Sequence, residues 1–185
     1  MEITFELRPG DVASAFGYGA FHLRYRVSIG AELELELDAR NDAEEPLLCE
    51  EALHTYFAVG DVTKASVFGL EGTTYIDTTD GFQRKTLDCR PVRFSKETDQ
   101  VHVGAKGACV IHDSVWDRQI IIEKIGSHTT VVWNPWIEKT KTMCDMPSDG
   151  WKQMICVETA NAADDAIVLP PGAFHKLRAH IRVRG

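Results

Sequence analysis

Residues 22–41, HLRYRVSIGAELELELDARN, decide the fold class. Leu23, Tyr25, Val27 and Ile29 alternate with polar residues, and Ala31, Leu33, Leu35 and Leu37 repeat the pattern after Gly30. A period of two over this length belongs to strands with one buried face, and the glycine between the two runs predicts a hairpin turn. On the polar side Arg24 and Arg26 lie across from Glu32, Glu34 and Glu36. As exposed opposite-charge pairs these favour pairing and solubility by ~1 kcal/mol at best.

The same period closes the chain. PPGAFHKLRAHIRVRG (residues 170–185) turns at Pro170-Pro171-Gly172 and places Leu177, Ala179, Ile181 and Val183 on one face. Lys176, Arg178, His180 and Arg182 take the other, so the pattern predicts a sheet with one wet face and a surface His180. Between these ends KASVFGL, QVHVG, ACVIHD, RQIIIEKIG, TTVVWNPW and MICVE are short β-rich runs broken by Gly, Pro, Asp and Asn. Helical periodicity is nearly absent, with SDGWKQM (residues 148–154) reading as a single turn. Regular short strands with turn signals predict an all-β sandwich or barrel, and 185 residues without repeat or linker predict one domain over 1–185. Met1, Ile3, Phe5 and Leu7 also alternate, so the chain starts inside a strand. That strand presents an uncovered sheet edge, where a second copy could pair to form a homodimer.

A net charge of −8 argues against nucleic-acid binding, which calls for a basic stripe. It leaves room for a small phosphorylated ligand, because a few local cations or backbone N–H groups suffice. The five cysteines (49, 89, 109, 144 and 156) contain no C-x-x-C pair and read as reduced thiols of the cytoplasm. The first residues lack a basic segment followed by a long apolar run, and no stretch reaches 18 consecutive apolar residues; neither secretion nor a membrane is expected.

Two side chains stand out chemically. On a strand reading of EEALHTYF (residues 50–57), His54 shares a face with Ala52 and Tyr56, either as a structural histidine bonded to a neighbouring strand or as a group facing a ligand. In MICVETAN (residues 154–161), Met154, Cys156 and Glu158 share a face, and Glu158 lies either at a wet strand end or in a pocket. Burial would raise its pKa toward the range where a general base works best. Metal-ligand, phosphate-loop and nucleophile-elbow patterns are absent. His102, His112, His128 and His175 read as surface or turn residues, and Asp99 as a turn residue or a binding group. Trp133, Pro135 and Trp136 read as packing under a turn, and Lys139 and Lys141 as solvated lysines or phosphate contacts.

Six ordered segments carry more weight together. EEALHTYFAVGDV (50–62), GLEGTTYID (69–77), ETDQVHV (97–103), VVWNPWIEK (131–139), MCDMPSDGWKQMICVETAN (143–161) and LPPGAFHKL (169–177) resemble the glucose-6-phosphate 1-epimerase (hexose-6-phosphate mutarotase) branch of the aldose 1-epimerase family. The resemblance implies a galactose mutarotase-like antiparallel β-sandwich, a sugar or sugar-phosphate substrate, and neither metal nor other cofactor. It implies catalytic roles for His54 and Glu158 and a sugar-binding role for Asp99. The reaction implied is interconversion of the α and β anomers of an aldohexose, with a hexose 6-phosphate as the expected substrate, by acid–base ring opening; the alternative is a catalytically inactive carbohydrate-binding or interaction domain on the same sandwich. Members of the family usually carry a further N-terminal portion, so the sandwich is expected to be incomplete, with N-terminal strands missing. In FGYGAFHL (residues 16–23), which departs from the family pattern, a locally different turn is expected.

Overall fold

The computed structural model describes residues 1–8 and 20–185, so the expected turn in FGYGAFHL lies largely outside the described residues. The strands, in chain order, are β1 (Glu2–Leu7), β2 (Phe21–Ile29), β3 (Leu33–Asn41), β4 (Leu47–Cys49), β5 (Glu51–Leu53), β6 (Tyr56–Ala58), β7 (Ala65–Phe68), β8 (Thr74–Asp77), β9 (Gln83–Thr86), β10 (Val92–Arg93), β11 (Thr98–Val103), β12 (Cys109–Asp113), β13 (Arg118–Ile125), β14 (Thr129–Asn134), β15 (Met154–Asn161), β16 (Ile167–Leu169) and β17 (Phe174–Arg184). A short helix, α1 (Trp136–Thr140), follows β14, and Gly150–Gln153 makes the single turn expected there.

An eight-stranded sheet runs in the order β1-β2-β3-β17-β13-β12-β7-β10, and a seven-stranded sheet runs β5-β15-β14-β11-β8-β9 with β6 also pairing β15. Strands β16 and β4 form a separate pair. Pairing is antiparallel throughout the described residues. The hairpin of residues 22–41 forms as its period dictates: Tyr25 lies opposite Leu37, Val27 opposite Leu35 and Ile29 opposite Leu33, with the Gly30 N–H donating to the Glu32 carbonyl at 3.0 Å. Strand β17 extends each rung, placing Leu177 beside Leu37 and Ala179 beside Leu35. These inner faces meet Leu53, Val132, Ile155 and Val157 of the seven-stranded sheet in one core cluster, which makes the fold a sandwich.

The outer face of the large sheet departs from the expectation of simple exposed pairs. The register sets Arg24 against Asp38 and Arg26 against Glu36, and Glu36 is only 1% exposed. Three cations surround it: Arg26 at 2.6 Å, Lys176 at 2.9 Å and Arg178, whose Nε donates at 2.9 Å. Glu36 lies on β3, flanked by two strands that both carry long cationic side chains, and their aliphatic stems lie down over the carboxylate. Burial opposes its ionisation, but hydrogen bonds from Lys176 and Arg178 and the charge of Arg26 overrule that and hold the carboxyl below its ordinary range. His180 does lie on this outer face, yet it is half-buried between Glu123 and Glu32, and both carboxylates raise its pKa.

His102 is a clear correction. It is wholly buried, its Nδ1 at 2.7 Å from the Thr73 hydroxyl and its Nε2 at 3.2 Å from Gln100 Oε1. In QVHV the valines hold the other face of β11, so here the polar residues point inward. Burial, with the Lys124 charge nearby, pushes the His102 pKa down to about 4, which keeps the ring neutral. His175 is also half-buried and pairs with Glu51 at 2.7 Å, whereas His128 is exposed. Among the described residues β1 pairs only with β2, and Met1, Ile3 and Phe5 are exposed.

The Glu36 cluster has a thermodynamic consequence. A carboxylate held below its unfolded pKa stabilises the fold above that unfolded value, and the contribution disappears as pH falls through the folded pKa. Because its cations are about a third exposed, the effect of breaking the cluster falls below that of a fully buried pair; Glu36→Gln should cost about 2 kcal/mol at neutral pH. Urea unfolding at pH 7 and pH 3 should show that difference shrinking in acid.

Candidate active site

Glu158 lies on β15, a strand whose eight residues are all buried. Ile155 and Val157 point into the core, so Cys156 and Glu158 share the opposite face of the sheet. On one side of β15 lies β14; on the other lie β5 and β6, which are two halves of one interrupted edge strand. The pairing keeps the same register across the interruption, with Leu53 opposite Thr159 and Tyr56 opposite Cys156. His54 therefore falls opposite Glu158, and its Nδ1 is 3.2 Å from Glu158 Oε1.

The interruption corrects the expectation that His54 sits mid-strand among apolar neighbours. The Thr55 N–H turns back to the Leu53 carbonyl at 2.9 Å, closing a three-residue turn with His54 at its apex. That leaves the Val157 carbonyl without the Thr55 N–H, and the Thr55 hydroxyl donates to it instead. The Val157 N–H still reaches the Thr55 carbonyl at 3.3 Å, so the rung survives the kink. As a result the His54 side chain is 68% exposed while that of Glu158 is 8% exposed. One partner faces solvent and the other is sunk in the sheet.

A second row of the sheet completes the site. Tyr56, Cys156, Trp133 and Asp99 lie side by side on adjacent strands, which brings Asp99 to the same face as Glu158. Trp133, expected as packing under a turn, thus borders the site. Tyr56 and Trp133 are two strand spacings apart, roughly 9–10 Å, yet their ring centroids approach to 5.8 Å edge to face. They lean toward each other over the small Cys156 between them, and the thiol is fully buried. Lys139 Nζ lies 5.7 Å from the Trp133 ring and pairs with Glu97 at 3.2 Å, while Lys141 pairs with Glu138 at 2.7 Å.

Burial raises the Glu158 pKa, and the Asp99 charge pushes in the same direction; the Cys156 thiol, which donates to Oε1 at 3.3 Å, and the nearby His54 pull it back only in part. Such an environment suits a carboxyl that must take up and give back a proton near neutrality. Among the described residues no His, Cys, Asp or Glu side chains group as a metal site, and no helix is long and apolar enough to cross a membrane. Cys156 and Tyr56 were not singled out as site residues from sequence. The signal for Cys156 was its i−2 spacing from Glu158; the signal for Tyr56 was its i+2 spacing from His54.

Sequence comparison adds a family. The profile described as Aldose 1-epimerase matches residues 2–182. The chain belongs to this family. Among relatives, an Escherichia coli (strain K12) protein described as "Putative glucose-6-phosphate 1-epimerase" is 34% identical over 181 residues, covering 98% of this chain and 60% of the relative. A Cenchrus ciliaris protein of the same description is 34% identical, covering 90% of this chain and 51% of the relative. The chain therefore spans between about half and three-fifths of these aldose 1-epimerase relatives. A Salmonella typhimurium crystal structure titled as a "putative mutarotase (YeaD)" superposes with a TM-score of 0.89 at 31% identity, over 98% of this chain and 60% of that one. A galactose mutarotase-like protein from Lactobacillus casei shares the fold at a TM-score of 0.77 and 11% identity, over 99% of this chain and 70% of that one.

Asp99 gives a direct electrostatic test. Replacing it by Asn removes a negative charge that opposes ionisation of Glu158. The Glu158 titration, followed by NMR of δ-¹³C-labelled glutamate, should move to lower pH in Asp99→Asn.

Proposed function

We propose that this member of the aldose 1-epimerase family interconverts the α and β anomers of an aldohexose, with a hexose 6-phosphate as the preferred class, through general acid–base ring opening by His54 and Glu158. The observation that carries this reading is the 3.2 Å approach of an exposed imidazole to a buried carboxylate. The printed description of the Escherichia coli and Cenchrus ciliaris relatives supports the phosphate.

In the ring-opening step Glu158 takes the proton of the C1 hydroxyl while His54 gives a proton to the ring oxygen. The C1–ring oxygen bond breaks, the C1–hydroxyl oxygen becomes the aldehyde carbonyl, and rotation about C1–C2 exposes the other face. Closure runs the same transfers backward with the roles exchanged. The pair starts as carboxylate and imidazolium and ends as carboxylic acid and imidazole, so its total charge is unchanged by the step. Each group contributes roughly 10²–10⁴-fold. Asp99 holds a sugar hydroxyl so that both reacting oxygens stay within reach. Five unpaired cysteines, two of them buried, agree with a cytoplasmic location.

A coupled assay of α-to-β glucose 6-phosphate conversion tests the reading. Wild type should exceed the buffer rate, and His54→Ala and Glu158→Gln should each lose about two orders of magnitude or more. Because the fold raises the pKa of Glu158, its ionisation at neutral pH opposes folding; Glu158→Gln should therefore keep or raise the melting temperature while losing activity. Equal rates for wild type, both variants and buffer would overturn the reading.

For the outer edge of β1, which has no pairing strand among the described residues, the partner we assign is a second copy. Exposed Ile3 and Phe5 would meet across an antiparallel pairing centred on Thr4, but the same register sets Glu2 against Glu6. Screening should relieve that repulsion. Light scattering should then show dimer growing with salt and protein concentration and abolished by Phe5→Lys; a monomer under all conditions would exclude pairing through this edge.

A further inference from the structure

We propose that Cys156 is a positioning residue for Glu158: its thiol anchors Oε1 and leaves Oε2 as the oxygen presented to the sugar. This rests on the base role given to Glu158 above. The two residues lie at i and i+2 on one face of β15, so the longer glutamate side chain can fold back along the strand toward the thiol. The Sγ–Oε1 distance is 3.3 Å, and Glu158 is the one hydrogen-bond partner of the Cys156 thiol among the described residues. His54 Nδ1 lies 3.2 Å from the same Oε1. Among those residues none donates to Oε2, so the two oxygens of one carboxylate have different duties.

The residue type matters in three ways. First, Cys156 lies between the strands whose Tyr56 and Trp133 rings approach to 5.8 Å, and its side chain is fully buried there, a place that suits a small residue. Second, burial and the adjacent carboxylates of Glu158 and Asp99 raise the thiol pKa, so at working pH the group is always S–H and always a donor. A thiolate beside Glu158 would repel it. Third, S–H is a weak donor. It can orient the carboxylate without stabilising the ionised form as strongly as a hydroxyl would, and so spares the basicity that burial confers. The groups that face Glu158 are then His54 from the edge turn, Tyr56 from β6, Cys156 from its own strand and Asp99 from β11, with the Lys139–Glu97 pair beyond Trp133.

The test uses the full chain with Cys156→Ala and Cys156→Ser, each checked for folding by its thermal melt. Two readouts follow: the Glu158 titration by NMR of δ-¹³C-glutamate, and the pH profile of kcat and KM for glucose 6-phosphate mutarotation. Loss of the donor in Cys156→Ala should move the Glu158 titration and the acid limb of kcat to higher pH, and lower kcat by about tenfold with KM nearly unchanged. Cys156→Ser restores a donor, and a stronger one; it should recover most of kcat while moving both the titration and the limb below wild type. Folded variants whose Glu158 titration matches wild type would overturn the proposal. The titration is independent of turnover: if it shifts as described while wild type shows no mutarotation, the anchoring role stands and the assigned reaction fails.

Discussion

The site depends on one constraint: β15 and the interrupted edge strand stay in register across a break. A slip by one residue would send every side chain of the edge to the opposite face. His54 would then point into the core and Glu158 would lose its partner. Register is kept because Thr55 substitutes its hydroxyl for the N–H that the turn has used, so the backbone of β15 has no unpaired carbonyl at Val157. Threonine is suited to this, carrying a donor on a β-branched side chain that a strand accepts. A residue without a hydroxyl there would leave a buried carbonyl unsatisfied beside His54 and Glu158.

The same architecture explains how a carboxylate tolerates burial. Glu36 and Glu158 are both nearly inaccessible, yet their pKa values move in opposite directions. Glu36 is enclosed by three cations, so ionisation is favoured and the group acts structurally. Glu158 receives one weak thiol donor and one imidazole, with Asp99 opposing, so its proton is held more tightly. The number and strength of donors, rather than depth, separate the carboxylate whose pKa falls from the one whose pKa rises.

Much of this was legible in the sequence. The alternation of residues 22–41 pointed to the hairpin and its inward face, and that of 174–184 to the inward face of a further strand, because period-two patterning depends only on which side is apolar. The pairing of His54 with Glu158 came from the family resemblance, since residues about a hundred positions apart share no local signal. What stayed hidden has local causes. The turn at His54 depends on a single N–H changing partner, and a hydroxyl that rescues a rung reads in sequence as an ordinary strand residue. His102 was misread because Val101 and Val103 look like the buried set, whereas the interior face of β11 carries Gln100 and His102. Glu36 looked exposed because patterning assigns charged residues to water, and it cannot see cations on both flanking strands closing over the one between them.

The two halves of the pair are held unequally, and that asymmetry follows from the sheet. Glu158 sits on an interior strand whose every residue is buried, hydrogen-bonded on both sides. His54 sits at a turn between two three-residue strands that form the sheet edge. Next to it β5 borders a groove of about 430 Å³ lined by Phe21, Leu23, Leu37, Leu47, Leu48 and Ala52, and there one oxygen of Glu51 is buried with no hydrogen-bond partner among the described residues. The other oxygen of Glu51 holds His175 at 2.7 Å and Asn161 at 3.2 Å, which ties the edge strand both to β17 of the opposite sheet and to β15. Glu51 is thus the clamp on the exposed side of the pair, three residues from the imidazole. The separation of imidazole and carboxylate is therefore set at this edge rather than at Glu158, whose position the buried strand β15 already determines; the acid–base role proposed for the pair would require that separation to hold.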